Sequence, residues 1–138
     1  FPRSEIEALG YNVETFGQKT YNGVALLSRY RLEDIIRGIP GFDDEHSRYI
    51  EAVVSTPSGA LRVASLYLPN GNPVDSPKYP YKLAWMAAFE KHAEALMQNE
   101  EAFVLAGTQF RPRKMFMRQM PGKAMRFTAL KHAKRSGV

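Results

Sequence analysis

The chain has no cysteine, and it contains no long apolar run. The first absence excludes a disulfide framework and a thiolate metal site, and it fits a cytoplasmic protein. The second excludes a membrane-spanning helix, which needs about 20 consecutive apolar residues. Neither a signal-peptide pattern nor an internal repeat is present, so we expect a cytoplasmic monomer with no membrane partner.

Acidic residues are also missing, but only from one part of the chain. All fourteen lie in residues 1–107 together with ten basic residues. Residues 108–138, here called the basic tail, contain nine basic residues and no acidic one, so the net charge of +5 comes from the tail. Its basic residues are interleaved with Phe110, Phe116 and Phe127, a composition that can bind nucleic acid through phosphate neutralisation and base stacking.

The most informative segment of the remaining chain is Leu61–Gly71, with the sequence LRVASLYLPNG. Apolar residues on both faces of its period-two pattern predict an inner strand over Leu61–Leu68. Pro69 has no N–H to donate and ends the strand, and the chain then turns. Tyr67 and Asn70 are thus expected together at the strand's carboxyl end, although a core tyrosine with a satisfied hydroxyl fits the same pattern.

The other periodic segments predict a mixed α/β fold. Apolar patterning predicts further strands at Tyr11–Phe16, Gly23–Ser28, Leu32–Arg37, Tyr49–Ser55 and Phe103–Gly107. A helix is predicted from about Tyr81 to Met97. Its apolar stripe is expected to consist of Leu83, Met86, Phe89, Ala93 and Leu96, with Trp85 and His92 flanking it. The order strand, loop, helix, strand is typical of an α/β crossover.

The loop between the first two strands contains Lys19, Tyr21 and Asn22. A tyrosine ring on a loop can stack on a base or wedge into a groove, and a lysine can reach a phosphate. The ring could equally shield the edge of the strand.

A later loop carries Asp43, Asp44 and Glu45 without the glycine-spaced pattern of a cation-binding loop. We therefore expect these carboxylates to be solvated. His46 is expected at the surface, and His92 is interpreted as a packed helix residue rather than a base.

The segments GYNVETFGQKTYNGVALLSRY, EAVVSTPSGALRVAS, LYLPNG and KYPYKLAWM, in this order, resemble the exodeoxyribonuclease III family of the endonuclease/exonuclease/phosphatase superfamily. The resemblance runs from Phe1 to about Gly107 and implies part of a DNase I-like, four-layered α/β sandwich. It also implies a magnesium-dependent DNA-repair nuclease that cuts at abasic sites and digests duplex DNA from 3′ ends. By resemblance, Tyr67 and Asn70 contact the scissile phosphate, while Lys19, Tyr21 and Asn22 face DNA.

The family's metal ligands and base lie in motifs that this sequence does not contain. A Q-E-T-K segment is expected just before Phe1, a G-D-x-N pattern after the strand that ends near Ala106, and an S-D-H pattern further on. Where G-D-x-N is due, the chain reads Gly107-Thr108-Gln109-Phe110. We therefore expect no ligand for magnesium in this chain and negligible activity of the chain alone.

Two other functions remain open. The chain could be a nucleic-acid-binding fragment that acts through the basic tail, or a phosphatase of the same superfamily. A sugar or lipid phosphatase is less favoured, because GQKTYNGVALL and KYPYKLAWM resemble the nuclease branch.

Translation in the wrong reading frame would explain the tail. The charge change, the loss of G-D-x-N and the start of a segment with four of the six methionines all coincide near Gly107. Back-translation of the tail into a neighbouring frame with permitted codons yields a peptide containing D-A-L-Y-G-P-E-T-R, which resembles the family's continuation. Residues 108–138 are therefore interpreted as an out-of-frame, disordered segment.

The DNA sequence across the codon for Gly107 tests this interpretation. We expect an alternative frame downstream of that codon to encode a family-like continuation that contains acidic residues. If neither alternative frame does so, the basic tail is a genuine part of the protein.

Overall fold

The structure, a computed structural model, describes residues 1–99, 101–108 and 127–129. Its elements are α1 (Arg3–Ala8), β1 (Asn12–Gly17), β2 (Gly23–Ser28), β3 (Leu32–Arg37), β4 (Tyr49–Thr56), β5 (Gly59–Tyr67), α2 (Lys78–Gln98), β6 (Phe103–Thr108) and β7 (Phe127–Ala129). The predicted mixed α/β fold is confirmed, and α2 begins three residues earlier than its apolar stripe indicated. Within these ranges no helix combines the length and the apolar character that a membrane crossing requires.

The strands form two sheets. β1 and β2 make an antiparallel hairpin, and the other strands have the order β3-β4-β5-β6-β7. β3, β4 and β5 pair antiparallel, whereas β6 pairs parallel to β5 after the crossover through α2. β5 therefore has a neighbour on each side, as its apolar pattern predicted.

The basic tail lies outside the described residues, apart from Thr108 at the end of β6 and the backbone of β7, which pairs parallel to β6. Its interpretation as an out-of-frame, disordered segment stays a prediction.

The larger sheet buries both of its faces. Tyr49, Ala64, Leu66 and Leu105 pack on one face against the buried side of α2. On the other face, a second cluster formed by Leu32, Ala52 and Val54 contacts Leu26 of β2. Helix, five-stranded sheet and two-stranded sheet are thus stacked in layers, and α1 is fastened to β1 by Arg3 Nη1, which donates to the carbonyl of Val13 at 2.8 Å.

The buried stripe of α2 differs from the predicted one. Trp85, expected at its flank, is fully buried and stacks on Phe89 with ring centroids 5.5 Å apart. Leu83, expected in the stripe, is 49% exposed. Because successive helix residues are about 100° apart, two positions along the helix lie on nearly opposite sides, and only one of them can face the sheet.

A buried polar cluster joins α2 to the sheet at Glu51, which is 1% exposed. The Tyr49 hydroxyl donates to Glu51 Oε2 at 2.5 Å, and His92 Nε2 lies 2.7 Å from the same oxygen. Arg62 Nη1 donates to Glu51 Oε1 at 3.2 Å. Burial and the hydrogen bond to Glu51 raise the pKa of Tyr49, so the phenol remains a donor. Removal of Glu51 would leave the buried Tyr49 hydroxyl without its acceptor and His92 without this contact, whereas Arg62 would keep Asp34 and Glu101 as acceptors.

Glu51→Ala should lower the free energy of unfolding by about 3 to 5 kcal/mol, because it leaves buried donors without a partner. Glu101→Ala is the matched control, since Glu101 pairs with the same Arg62 at 3.1 Å but is 55% exposed. Its expected cost is below about 1 kcal/mol. Urea denaturation of the 138-residue chain measures both, and equal effects of the two substitutions would contradict the assignment of Glu51 as the centre of the cluster.

Candidate nucleic-acid interface

The β4–β5 hairpin brings an arginine to the end of the central strand. Its register pairs Thr56 with Gly59 at the turn and Tyr49 with Leu66 at the far end. One residue beyond, the Tyr67 N–H donates to the carbonyl of Arg48 at 2.8 Å. Arg48 therefore lies beside Tyr67, where β5 ends.

The Arg48 guanidinium is held between two aromatic rings. Its Cζ lies 4.9 Å from the ring centroid of Tyr67 and 5.9 Å from that of Tyr81, which belongs to α2. Nη1 donates to the carbonyl of Tyr67 at 3.4 Å, and Nε is buried with no hydrogen-bond partner among the described residues. Attraction between a cation and ring faces fixes a positive charge at this edge.

Asn70 lies in the turn that follows, and its side chain is exposed. Its Oδ1 accepts a hydrogen bond from the Asn72 N–H at 3.2 Å, which leaves the amide N–H groups as donors. A Cβ at the neighbouring Gly71 would lie 2.7 Å from Cδ of Lys82, so a larger residue there would require the Lys82 side chain to shift. The structure thus has Tyr67 and Asn70 at the carboxyl end of β5.

The β1–β2 loop is tied to the loop that carries Arg48. Gln18 Oε1 accepts hydrogen bonds from the Ser47 N–H at 3.1 Å and from Asn22 Nδ2 at 2.8 Å. Asn22 Nδ2 also lies 3.4 Å from His46 Nδ1. Asn22 adopts a φ of 62°, a conformation that asparagine tolerates better than most residues. Asn22 therefore stabilises the β1–β2 loop through its contacts with Gln18 and His46.

Aromatic rings connect the two groups of predicted site residues. Tyr21 is 64% exposed, and its ring centroid lies 6.4 Å from that of His46. The His46 ring meets Tyr81 edge-on at 5.4 Å. A chain of side-chain contacts thus runs from the β1–β2 loop to the end of β5. It is here called the aromatic row and consists, in order, of Tyr21, His46, Tyr81, Arg48 and Tyr67. Lys19 is exposed on the same loop as Tyr21.

Two expectations for the loop before β4 are wrong. His46 was expected at the surface but is half-buried within the aromatic row. Asp44 was expected to be solvated, yet the Tyr81 hydroxyl lies 3.0 Å from each of its carboxylate oxygens, and the His46 N–H donates to Oδ1 at 2.9 Å. Burial and the hydrogen bond to Asp44 raise the pKa of Tyr81. The physical reason is the crossover, which sets the start of α2 against this loop.

The magnesium implied by the family resemblance has no ligand set among the described residues. These residues include no group of three or more histidine, aspartate or glutamate side chains that could hold a metal ion. The carboxylate nearest the aromatic row, Asp44, is already occupied by hydrogen bonds to Tyr81 and His46. The described site does not fit a metal ion, and no chemical step is assigned to one.

Comparison with known proteins gave curated relatives and solved structures, whereas no protein-family model matches the chain. The chain is 33% identical over 109 residues to exodeoxyribonuclease III of Haemophilus influenzae, a match that covers 78% of this chain and 41% of that protein. It is 39% identical to a 3′-5′ exonuclease from Neisseria meningitidis, with a TM-score of 0.71 over 78% of this chain and 41% of the other.

Two further solved structures are similar to the chain. One is a 3′ phosphatase from Neisseria bound to a product DNA hairpin, with 39% identity, a TM-score of 0.70 and coverage of 78% and 40%. The other is an AP endonuclease from Archaeoglobus fulgidus, with 30% identity, a TM-score of 0.69 and the same coverage. The chain spans about two-fifths of the length of these relatives. Over 78% of its length the chain is thus similar, in sequence and in fold, to part of an exodeoxyribonuclease III and of related nucleases of the endonuclease/exonuclease/phosphatase superfamily.

Proposed function

We propose that the edge formed by Arg48, Tyr67 and Asn70 binds a phosphate of DNA. The protein is then a DNA-repair phosphodiester hydrolase of the exodeoxyribonuclease III type, acting at abasic sites and at 3′ ends. The observation that carries this proposal is the Arg48 guanidinium, held 4.9 Å above the Tyr67 ring at the end of the central strand. Magnesium dependence is proposed only for a longer enzyme that carries the family's metal-ligand motifs, and a monomeric state and a cytoplasmic location are part of the same proposal.

The proposed roles follow from the charge of the reacting group. When water attacks a phosphodiester and the bond to the leaving oxygen breaks, negative charge concentrates on the non-bridging oxygens. Arg48 supplies a fixed positive charge, and the Tyr67 hydroxyl and the Asn70 amide supply hydrogen-bond donors. These three residues bind and orient the phosphate, and none of them is assigned the role of base for the water.

Tyr21 and Lys19, at the other end of the aromatic row, would contact the DNA next to that phosphate. Tyr21 exposes most of its ring, which can stack on a base or wedge into a groove, and Lys19 can reach a neighbouring phosphate. Because Gln18 and Asn22 bond to Ser47 and His46, the loop that carries Tyr21 is tied to the segment that leads to Arg48. A rigid spacing between a phosphate site and a stacking ring favours recognition of a DNA end or lesion.

A second candidate function is removal of a phosphate from a 3′ end. The Neisseria structure described as a 3′ phosphatase favours it. A terminal phosphate carries more negative charge than a diester and would use the same donors. Tighter binding of a duplex that ends in a 3′-phosphate than of one that ends in a 3′-hydroxyl would support this function over the exonuclease.

The 138-residue chain alone should not hydrolyse DNA, even with magnesium, because the described residues provide no cluster that could hold a metal ion, and the sequence lacks the motifs in which the family's metal ligands and base lie. An abasic-site duplex and a 3′-phosphate duplex, incubated with the purified chain, measure this. Magnesium-dependent cleavage that disappears in Tyr67→Phe would contradict the expectation.

DNA binding tests the role of Arg48 directly. The background is a chain whose nine tail lysines and arginines are replaced by glutamine, so that the attraction of the tail is removed. In this background, Arg48→Met should weaken binding of a duplex with a recessed end by about tenfold. It should also reduce the salt dependence by about one released counterion.

Arg29→Met is the matched control. The Arg29 guanidinium lies 4.9 Å above the ring of Tyr11, the same geometry as Arg48 over Tyr67, but on the β1–β2 hairpin. Its loss should leave the affinity unchanged. If all measurable binding vanishes with the tail charges, or if the two arginines matter equally, the proposal is wrong, and the basic tail or general charge accounts for the binding.

A further inference from the structure

The carboxylate of Asp44 lies close to the proposed phosphate site, where its charge would repel the ligand. Its oxygens accept hydrogen bonds from the Tyr81 hydroxyl, at 3.0 Å to each, and from the His46 N–H. Asp44 is half-buried, and it sits four residues before Arg48 on the same loop. The hydrogen bonds that Asp44 accepts suggest a structural role for this carboxylate, despite the repulsion.

This structural role is to hold Tyr81 in place through its hydroxyl. Tyr81 is on α2, and its hydroxyl bond to Asp44 fastens the helix to the loop that leads to Arg48. The Tyr81 ring then forms one wall for the Arg48 guanidinium, whose Cζ lies 5.9 Å from its centroid, and the Tyr67 ring, at 4.9 Å, forms another. An arginine without such walls samples many rotamers, and ordering it on binding reduces affinity.

The His46 side chain also helps to hold the Tyr81 ring in place. It meets Tyr81 edge-on at 5.4 Å, and its backbone N–H is bound to Asp44. Tyr81 is therefore fixed at its hydroxyl by Asp44 and at its ring by His46. Its raised pKa, caused by burial and by Asp44, keeps the hydroxyl protonated as a donor.

We propose that Asp44 and Tyr81 are positioning residues, which keep the Arg48 guanidinium against Tyr67 in the orientation that receives a phosphate. They act through Arg48 and do not contact the ligand. This inference rests on the proposed function, since it assumes that Arg48 binds a DNA phosphate.

A double-mutant cycle tests the inference in the chain whose nine tail lysines and arginines are replaced by glutamine, here called the neutral-tail chain. Tyr81→Phe keeps the ring and loses the hydroxyl, and it should weaken binding of the recessed duplex by about threefold to tenfold. In the Arg48→Met background the same substitution should have no effect. Tyr11→Phe, which removes a hydroxyl below Arg29, is the matched control and should change nothing. An equal effect of Tyr81→Phe in both backgrounds would overturn the inference.

Asp44→Ala separates positioning from simple charge, because it removes both the negative charge and the acceptor of the Tyr81 hydroxyl. If Asp44 acted by charge alone, its neutralisation would strengthen DNA binding, whereas loss of the Tyr81 anchor weakens it. We expect weaker binding, and unchanged or stronger binding would contradict the inference.

Hydrogen exchange of the Arg48 Nε–H, followed by NMR in the free chain, reads the position of the side chain without DNA. The proton should exchange slowly in the wild-type sequence and in Tyr11→Phe, and at least tenfold faster in Tyr81→Phe, about the change expected when a buried group becomes mobile. Unchanged exchange in Tyr81→Phe would overturn the positioning role. If exchange accelerates but Arg48→Met leaves DNA affinity unchanged, the proposed function fails, and with it the assignment of Asp44 and Tyr81 to phosphate binding.

Discussion

The antiparallel register between β4 and β5 determines the position of the groups at the candidate interface. Because the turn pairs Thr56 with Gly59, the residue before β4 must lie beside the last residue of β5. That residue is Arg48, and the last residue of β5 is Tyr67. A shift by one residue would turn the Tyr67 side chain to the other face of the sheet and separate the ring from the guanidinium.

α2 provides the second constraint. Trp85 and Phe89 anchor the helix in the core, and His92 joins it to Glu51 in the sheet. With its centre fixed, the start of the helix brings Tyr81 to Asp44 and to the loop before β4. The positions of Tyr81 and Asp44 beside Arg48 therefore depend on core contacts several helical turns away, so a substitution in the core can displace the groups at the candidate interface.

Much of the fold could be predicted from local pattern, since alternation and apolar runs indicate strands whatever surrounds them. The inner position of β5, and Tyr67 and Asn70 at its end, follow from this. The position of Arg48 could also be predicted from the sequence, because Arg48 lies as many residues before Thr56 as Tyr67 lies after Gly59, so the hairpin sets the two opposite each other. The roles of Asp44, His46 and Tyr81 were not, because they depend on contacts between loops and a helix that no local pattern encodes. Trp85 was misjudged because several overlapping stripes fit an alanine-rich helix.

An NMR titration of the neutral-tail chain with a short duplex that ends in a 3′-phosphate tests the central claim most directly. If the end of β5 binds phosphate, the largest shift changes will occur at Arg48, Tyr67 and Asn70, smaller ones will occur at Tyr21, and Arg29 will not respond. Changes that are absent at Arg48 and Tyr67, or that are spread evenly over all exposed cations, would contradict a phosphate site at this edge.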